Sequence, residues 1–292
     1  MAQPTVYGGN KLMEKVHTAI LMATYNGGKH LREQIDSILS QTDKDWTLYV
    51  HDDGSSDDTN EVLQEYASAH HNVIILEYAP TGGACANFLS MVEKVEADYY
   101  FFSDQDDVWL ADKVRLTREE MLRQEAANPG KPVVVHTDLY VTDENLKVIN
   151  ESFMRFAGIH PEFLTTFDDC VIPFVTGCTM MFNCAARGVT KLPTTNAVMH
   201  DSWITLSTMS KGGLVSVLYQ PLVFYRQHGT NSVGARDVKK VTIAYRIKHL
   251  QNILHLNKRI YRMLASLGYG SRLKYIYHKY RYSKKVHAFS TK

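Results

Sequence analysis

The sequence predicts an α/β protein: a mostly parallel central sheet with helices on both faces, followed by a basic helical appendage. Three observations predict it. A strand–loop–helix unit recurs three times before a fourth strand, the pattern of parallel strands joined by helical crossovers. Each of those four strands runs into a polar loop rich in Asp, Asn, Gly and Ser. The charge is also lopsided, because residues 236–292 hold 15 of the 32 Lys/Arg but only one of the 31 Asp/Glu. That split leaves about −13 on residues 1–235 and about +14 beyond them, and places a boundary near Gly234.

The elements follow in order. Met1 to Val16 is polar, lacks the apolar centre of a secretory signal, and reads as a flexible leader. His17–Ala23 is a short apolar strand ending at Thr24-Tyr25-Asn26-Gly27-Gly28. Leu31, Ile35, Ile38 and Leu39 then repeat at helical spacing. Trp46–His51 is the second strand and Asp52-Asp53-Gly54-Ser55 its loop. Ser55 with Asp58 reads as a capping box for a helix carrying Val62, Leu63, Tyr66 and Ala67. Asn72–Glu77 is the third strand. It leads through Thr81-Gly82-Gly83 into a helix with Ala84, Phe88, Val92 and Val95 on one face. Ala97–Phe102 is the fourth strand, and it empties into Ser103-Asp104-Gln105-Asp106-Asp107-Val108-Trp109.

After that cluster come a charged helix (Ala111–Ala127) and a strand (Pro132–His136). A turn near Val141–Val148 should bring antiparallel pairing. Val171–Phe182 is apolar and β-rich around Gly177, and a helix begins near Met199. Short strands follow at Val215–Tyr219 and Leu222–Tyr225. The 292 residues can bury an ample core. No apolar run reaches the ~18 residues of a membrane-spanning helix. Cys85, Cys170, Cys178 and Cys184 show no disulfide spacing and suit a reducing cytoplasm.

Ligands of such sheets sit beyond the carboxyl ends of the strands. The loops 24–28, 52–56, 81–83 and 103–107 should therefore converge on one edge. Three carboxylates within four residues repel one another unless a cation intervenes, and oxygen ligation suits Mg²⁺ or Mn²⁺. Each motif has a plainer reading. An Asp-x-Asp is most often an acidic turn, Asp52-Asp53-Gly54-Ser55 a turn, and His200-Asp201 a helix cap. His228 is one of 13 histidines. Gly82-Gly83 amides could face a phosphate, but there is no Gly-x-Gly-x-x-Gly and no Gly-Lys-Ser/Thr loop, which argues against a dehydrogenase or an ATPase.

Taken together, Thr24-Tyr25-Asn26-Gly27, Asp52-Asp53-Gly54-Ser55, Ser103–Trp109, His200-Asp201-x-Trp203 and Tyr225-Arg226-Gln227-His228-Gly229-x-Asn231 resemble family 2 glycosyltransferases with the GT-A fold. The Asp-Gln-Asp-Asp and Arg-Gln-His-Gly-x-Asn pair resembles the bacterial rhamnosyltransferase-like branch that builds surface polysaccharide. The resemblance is collinear over roughly residues 17–232. It implies a metal-dependent, inverting transferase that uses a dTDP- or UDP-sugar, most simply dTDP-L-rhamnose. Asp53 would contact the pyrimidine and Tyr25 lie against it, with Thr24, Asn26, Asp52, Gly82 and Asn87 completing the nucleotide-sugar site. Asp104 would serve ribose and metal, Asp106 would be the principal metal ligand, and His228 would approach the metal or diphosphate. Asp201, in a His-Asp pair where many relatives carry Glu-Asp, would be the catalytic base. Gly177, Cys178, His200 and Trp203 would form the acceptor side. No Gln-x-x-Arg-Trp follows the base, which favours single addition over polymerisation.

The basic region 236–292 reads either as helices packed on the body or a second subunit, or as an element on the inner leaflet of the plasma membrane. The latter would serve a glycan or polyprenyl-diphosphate-linked acceptor at the cytoplasmic face. The competing readings are a sugar nucleotidyltransferase, which should carry a Gly-x-Gly-x-Arg loop, and a basic-tailed nucleic-acid or membrane binder. The nucleic-acid reading leaves the acidic loops without a use.

Overall fold

Side chains on a strand alternate between its two faces, and Thr18–Thr24 (β1) separates two cores in this way. The computed structural model describes residues 16–229, 235, 237–238 and 242–290. Apart from Val16, the expected leader lies outside the described residues, as does Gly234. Ala19 and Leu21 of β1 join Tyr100 and Phe102 of Tyr99–Ser103 (β4) on one face. Helices Ala84–Lys94 (α3), His200–Ser210 (α7) and Leu250–Ser266 (α9) cover it with Phe88, Trp203, Ile204, Met263 and Leu264. Ile20, Met22 and Phe101 point the other way, with Leu48 and Val50 of Thr47–Asp52 (β2). That face is covered by Gly28–Leu39 (α1), Thr59–Ala69 (α2) and Lys113–Ala127 (α4). Each large apolar side chain fully buried here is worth about 1.5–3 kcal/mol.

The remaining elements are Val73–Ile75 (β3), Val108–Trp109 (β5), Val133–Thr142 (β6), Val148–Asn150 (β7), Phe153–Ala157 (α5), Met180–Asn183 (β8), Cys184–Val189 (α6), Leu214–Arg226 (β9), Ile243–Lys248 (α8) and Arg272–Ser290 (α10). The sheet order is β3-β2-β1-β4-β8-β6-β9-β5, with β7 on β6. β3, β2, β1 and β4 are mutually parallel. β8 runs antiparallel to both β4 and β6, so β4 and β6 point the same way, and β9 is parallel to β6. The carboxyl ends of β1, β2, β4 and β9 therefore share one edge. That is how residues near 104 and near 228 meet.

Four local expectations change. α2 begins at Thr59 with no side-chain cap. Ser55, expected as the cap, instead donates to Asp52 at 2.5 Å and accepts the Asn26 N–H at 2.7 Å. Val171–Thr176 forms no strand. It is an apolar loop whose Val171, Phe174 and Val175 fill the core before a 3₁₀ turn at Gly177–Thr179. The two expected strands around Pro221 are one, β9. Proline cannot donate to the ladder, and the β6–β9 register slips where Pro221 faces Asp138 instead of the strand ending. β5, which pairs with β9, is an element the sequence reading lacks.

Candidate active site at the carboxyl edge of the sheet

The first loop is built by backbone bonds to polar side chains. Asn26 adopts a left-handed φ of 47°, a conformation Asn tolerates better than most residues. Its Oδ1 accepts the Ser56 N–H at 2.8 Å. Gln105 of the acidic loop reaches over to Tyr25, accepting its N–H at 2.8 Å and donating to its carbonyl at 3.0 Å. A Cβ at Gly27 would lie 2.2 Å from Gln105 Oε1, so this crossing needs glycine. The Tyr25 ring is left exposed at the rim.

Asp52 is a structural residue. It accepts from the Thr24 hydroxyl at 2.9 Å and from the Ser55 N–H at 2.7 Å. Asp53 accepts from the Thr81 N–H and hydroxyl and from the amides of Gly82 and Gly83. Burial pushes its carboxyl up, but these donors outweigh it and leave the carboxyl below the usual range. The Gly82 and Gly83 amides thus face Asp53 and not open space. Asn87, expected in the nucleotide-sugar site, faces His51. It is buried, donating to the His51 carbonyl at 3.0 Å and meeting His51 Nδ1 at 2.8 Å, so its amide is used inside the fold.

The acidic loop is pinned from below. Arg226, at the end of β9, donates from Nε to the Asp106 carbonyl at 2.9 Å, from Nη1 to the Glu144 carbonyl at 2.5 Å, and from Nη2 to Glu33. Because the guanidinium takes the main chain of Asp106, the carboxylate turns to His228, with Oδ2 and Nε2 2.6 Å apart. Burial, then the charges of Asp106 and Asp201, push the Asp104 carboxyl up to about 7. Asp104 thus lies within electrostatic reach of both Asp106 and Asp201, while His228 meets Asp106. Asp104 and Asp106 repel one another while Asp106 faces His228, and carboxylate and imidazole donors are of the kind a divalent ion takes. The ligand atoms that the described residues bring within 4.8 Å of one another are those of Asp104, Asp107 and Cys178. Cys178, expected on the acceptor side, is instead buried beside Asp107, and a thiol suits softer ions than Mg²⁺.

Asp201 opens α7. It accepts the Gly177 N–H at 3.1 Å and the Ser202 N–H at 2.5 Å. Burial raises its carboxyl to about 6, against the pull of these donors. His200 does not line the acceptor side. It is buried between Phe88 and Phe102, with ring centroids 4.1 and 4.7 Å away, and neither ring nitrogen has a partner among the described residues. A Cβ at Gly177 would come 2.5 Å from His200 Nε2, so Gly177 makes room for that ring. Trp203 is likewise core, its Nε1 donating to the Lys191 carbonyl at 3.1 Å.

Three residues of the site escaped the sequence reading. His30, in the first turn of α1, has its ring 5.4 Å from that of His228. Arg226 stood in the motif with no role attached. Lys113 is fully buried, with its ammonium 3.7 Å from the Trp109 ring centroid. Burial lowers it to about 7, against the opposing charges of Cys178 and Asp107. The motif Asp107-x-Trp109 with a basic residue four positions later was the signal available for Lys113.

The profile of Glycosyl transferase family 2 matches residues 19–187, more than half of the chain. The dTDP-rhamnosyl transferase RfbG of Shigella flexneri is 26% identical over 226 residues, covering 73% of this chain and 74% of that one. Staphylococcus aureus TarS 1-349 in complex with UDP superposes with a TM-score of 0.54 at 15% identity, over 73% of this chain and 61% of that chain. The chain thus matches about three-fifths of the length of that structure. The mannosyltransferase PcManGT of Pyrobaculum calidifontis, in complex with GDP-Man and Mn²⁺, gives a TM-score of 0.55 at 14% identity over 96% of this chain and 84% of that one. The two superpositions identify the fold as GT-A. With the family profile running from β1 through the acidic loop to α6, the chain belongs to glycosyl transferase family 2 and is a glycosyltransferase.

Proposed function

We propose that the chain moves one sugar from a nucleoside-diphosphate donor to a hydroxyl of a bacterial surface-polysaccharide acceptor, with inversion. The observation that carries this reading is that Asp104, at the carboxyl edge of the sheet, feels the charges of both Asp106, which meets His228, and Asp201. Asp201 takes the proton of the acceptor hydroxyl as its oxygen attacks the anomeric carbon. The bond from that carbon to the diphosphate breaks on the opposite face, and no glycosyl-enzyme intermediate forms. Asp106 and His228, with Asp104 beside them, would hold Mg²⁺ or Mn²⁺. When bound, such an ion offsets the charge left on the departing diphosphate. Tyr25, exposed at the rim, would stack on the base.

The donor we favour is dTDP-L-rhamnose, on the similarity to RfbG and on the motif pair Asp104–Asp107 with Arg226–His228. A UDP-sugar is the second reading, supported by the likeness to the UDP complex of TarS. A polyprenyl-diphosphate-linked acceptor would place the reaction at the cytoplasmic face of the plasma membrane. A thermal-shift panel of dTDP-rhamnose, UDP-glucose and GDP-mannose, with and without Mn²⁺, tests the reading. Ligand at 100 times its Kd stabilises by about 2.7 kcal/mol. The largest shift should come from dTDP-rhamnose with Mn²⁺. A larger shift with UDP-glucose would reassign the donor, and no shift with any sugar nucleotide would end the proposal.

A further inference from the structure

Helix α10 has two usable faces and the described residues cover one. Inward, Tyr275 is buried, His278 Nδ1 lies 3.3 Å from Asp169, and the Tyr282 hydroxyl accepts the His160 N–H at 3.1 Å. Outward, Leu273, Ile276, Tyr277 and Tyr280 follow the i, i+3, i+4, i+7 spacing that forms one stripe. They are 79, 53, 57 and 58% exposed. Arg281 lies over the Tyr277 ring at 5.7 Å and Lys284 over the Tyr280 ring at 5.3 Å. Residues 242–290 contain no Asp or Glu. Among the described residues no helix is long and apolar enough to cross a membrane.

We propose that this outward face docks on an anionic lipid surface, with α10 lying in the plane of the interface. Leu273 and Ile276 enter the acyl boundary, Tyr277 and Tyr280 lie at headgroup depth, and Arg281 and Lys284 meet lipid phosphates. A second copy packed face to face would set these cations against their own kind with no acid to pair them. A nucleic-acid backbone would pair with the cations but leave Leu273 and Ile276 unused. The inference goes beyond the proposed transfer and does not depend on the identity of the donor.

The test is flotation of the full chain, without sugar nucleotide, on vesicles of phosphatidylcholine with or without phosphatidylglycerol. Two variants accompany it, Leu273→Ser/Ile276→Ser/Tyr277→Ser/Tyr280→Ser and Arg281→Glu/Lys284→Glu, with circular dichroism and donor hydrolysis as controls of fold and site. Wild type should float with the anionic vesicles. Each variant should lose about tenfold or more of its partitioning at unchanged dichroism and hydrolysis. The proposal is overturned if wild type stays unbound, or if both variants float as well as wild type. It is also overturned if wild type is a dimer that the serine variant dissolves without binding vesicles, since the face would then belong to a second copy.

Discussion

As the proposed base, Asp201 would combine the two properties that taking a proton from an alcohol needs: an ionised carboxylate near neutral pH and a fixed direction. The Gly177 and Ser202 amides hold its two oxygens, and burial lifts its carboxyl to about 6. A base works only when deprotonated, so transfer should fall as pH drops through about 6, and a pH–rate profile reads this directly. Asp201→Asn should reduce turnover by about 10²–10⁴-fold with donor affinity nearly unchanged, measured by steady-state transfer and by calorimetry. His200 and His136 make the opposite kind of statement. Burial lowers them to about 3 and about 4. In the unfolded chain they protonate below about 6.5. Stability is therefore lost as pH falls from there toward 4, each histidine contributing a slope of about 1.4 kcal/mol per pH unit. His200→Leu should remove about half of that slope in urea melts taken between pH 6.5 and 4.5.

The acidic loop between β4 and β5 keeps its shape because β9 delivers Arg226 beneath it. Removing a buried, multiply bonded cation typically costs about 3–5 kcal/mol, because its partners are left without it. Arg226→Met should therefore lower stability by about that much in denaturant melts, and should weaken donor binding more than a distant substitution of equal cost. Much of this region was legible in the sequence. Parallel strands end in loops on one edge, so Asp52, Asp104 and Asp106 could be placed near one another from the repeat alone. What stayed hidden depends on rotation. Ser202 to Met209 of α7 are all buried, so no amphipathic stripe told which way His200 and Trp203 turn. Val171–Thr176 reads as a strand because core-filling loops and strands share an apolar composition. His30 and Lys113 sit on helices whose contacts with His228 and Cys178 span long separations in sequence, which local patterning cannot show.

Across the whole molecule, the basic C-terminal helices complete the core on one face of the sheet. Ile260, Met263, Leu264, Tyr269 and Tyr275 share one apolar cluster with Trp203, Ile204 and Phe88. The Tyr269 hydroxyl donates to the Asp168 carbonyl at 2.7 Å, and Lys274 pairs with Asp168 at 2.5 Å. Deleting residues 242–292 should therefore lower the melting temperature and expose apolar surface, seen as increased dye binding, and not release an intact body. The charge asymmetry marked this basic region as distinct, but not that the inner faces of its helices belong to the body. The edge where β1, β2, β4 and β9 end is the other feature of the molecule as a whole, and the proposed metal-bound diphosphate depends on it. Calorimetric titration of dTDP-rhamnose into wild type and Asp106→Ala, with Mn²⁺ and with EDTA, tests that dependence most directly. We expect binding to wild type only with Mn²⁺, and a loss of about tenfold or more in Asp106→Ala; equal affinity in all four titrations would contradict the metal site.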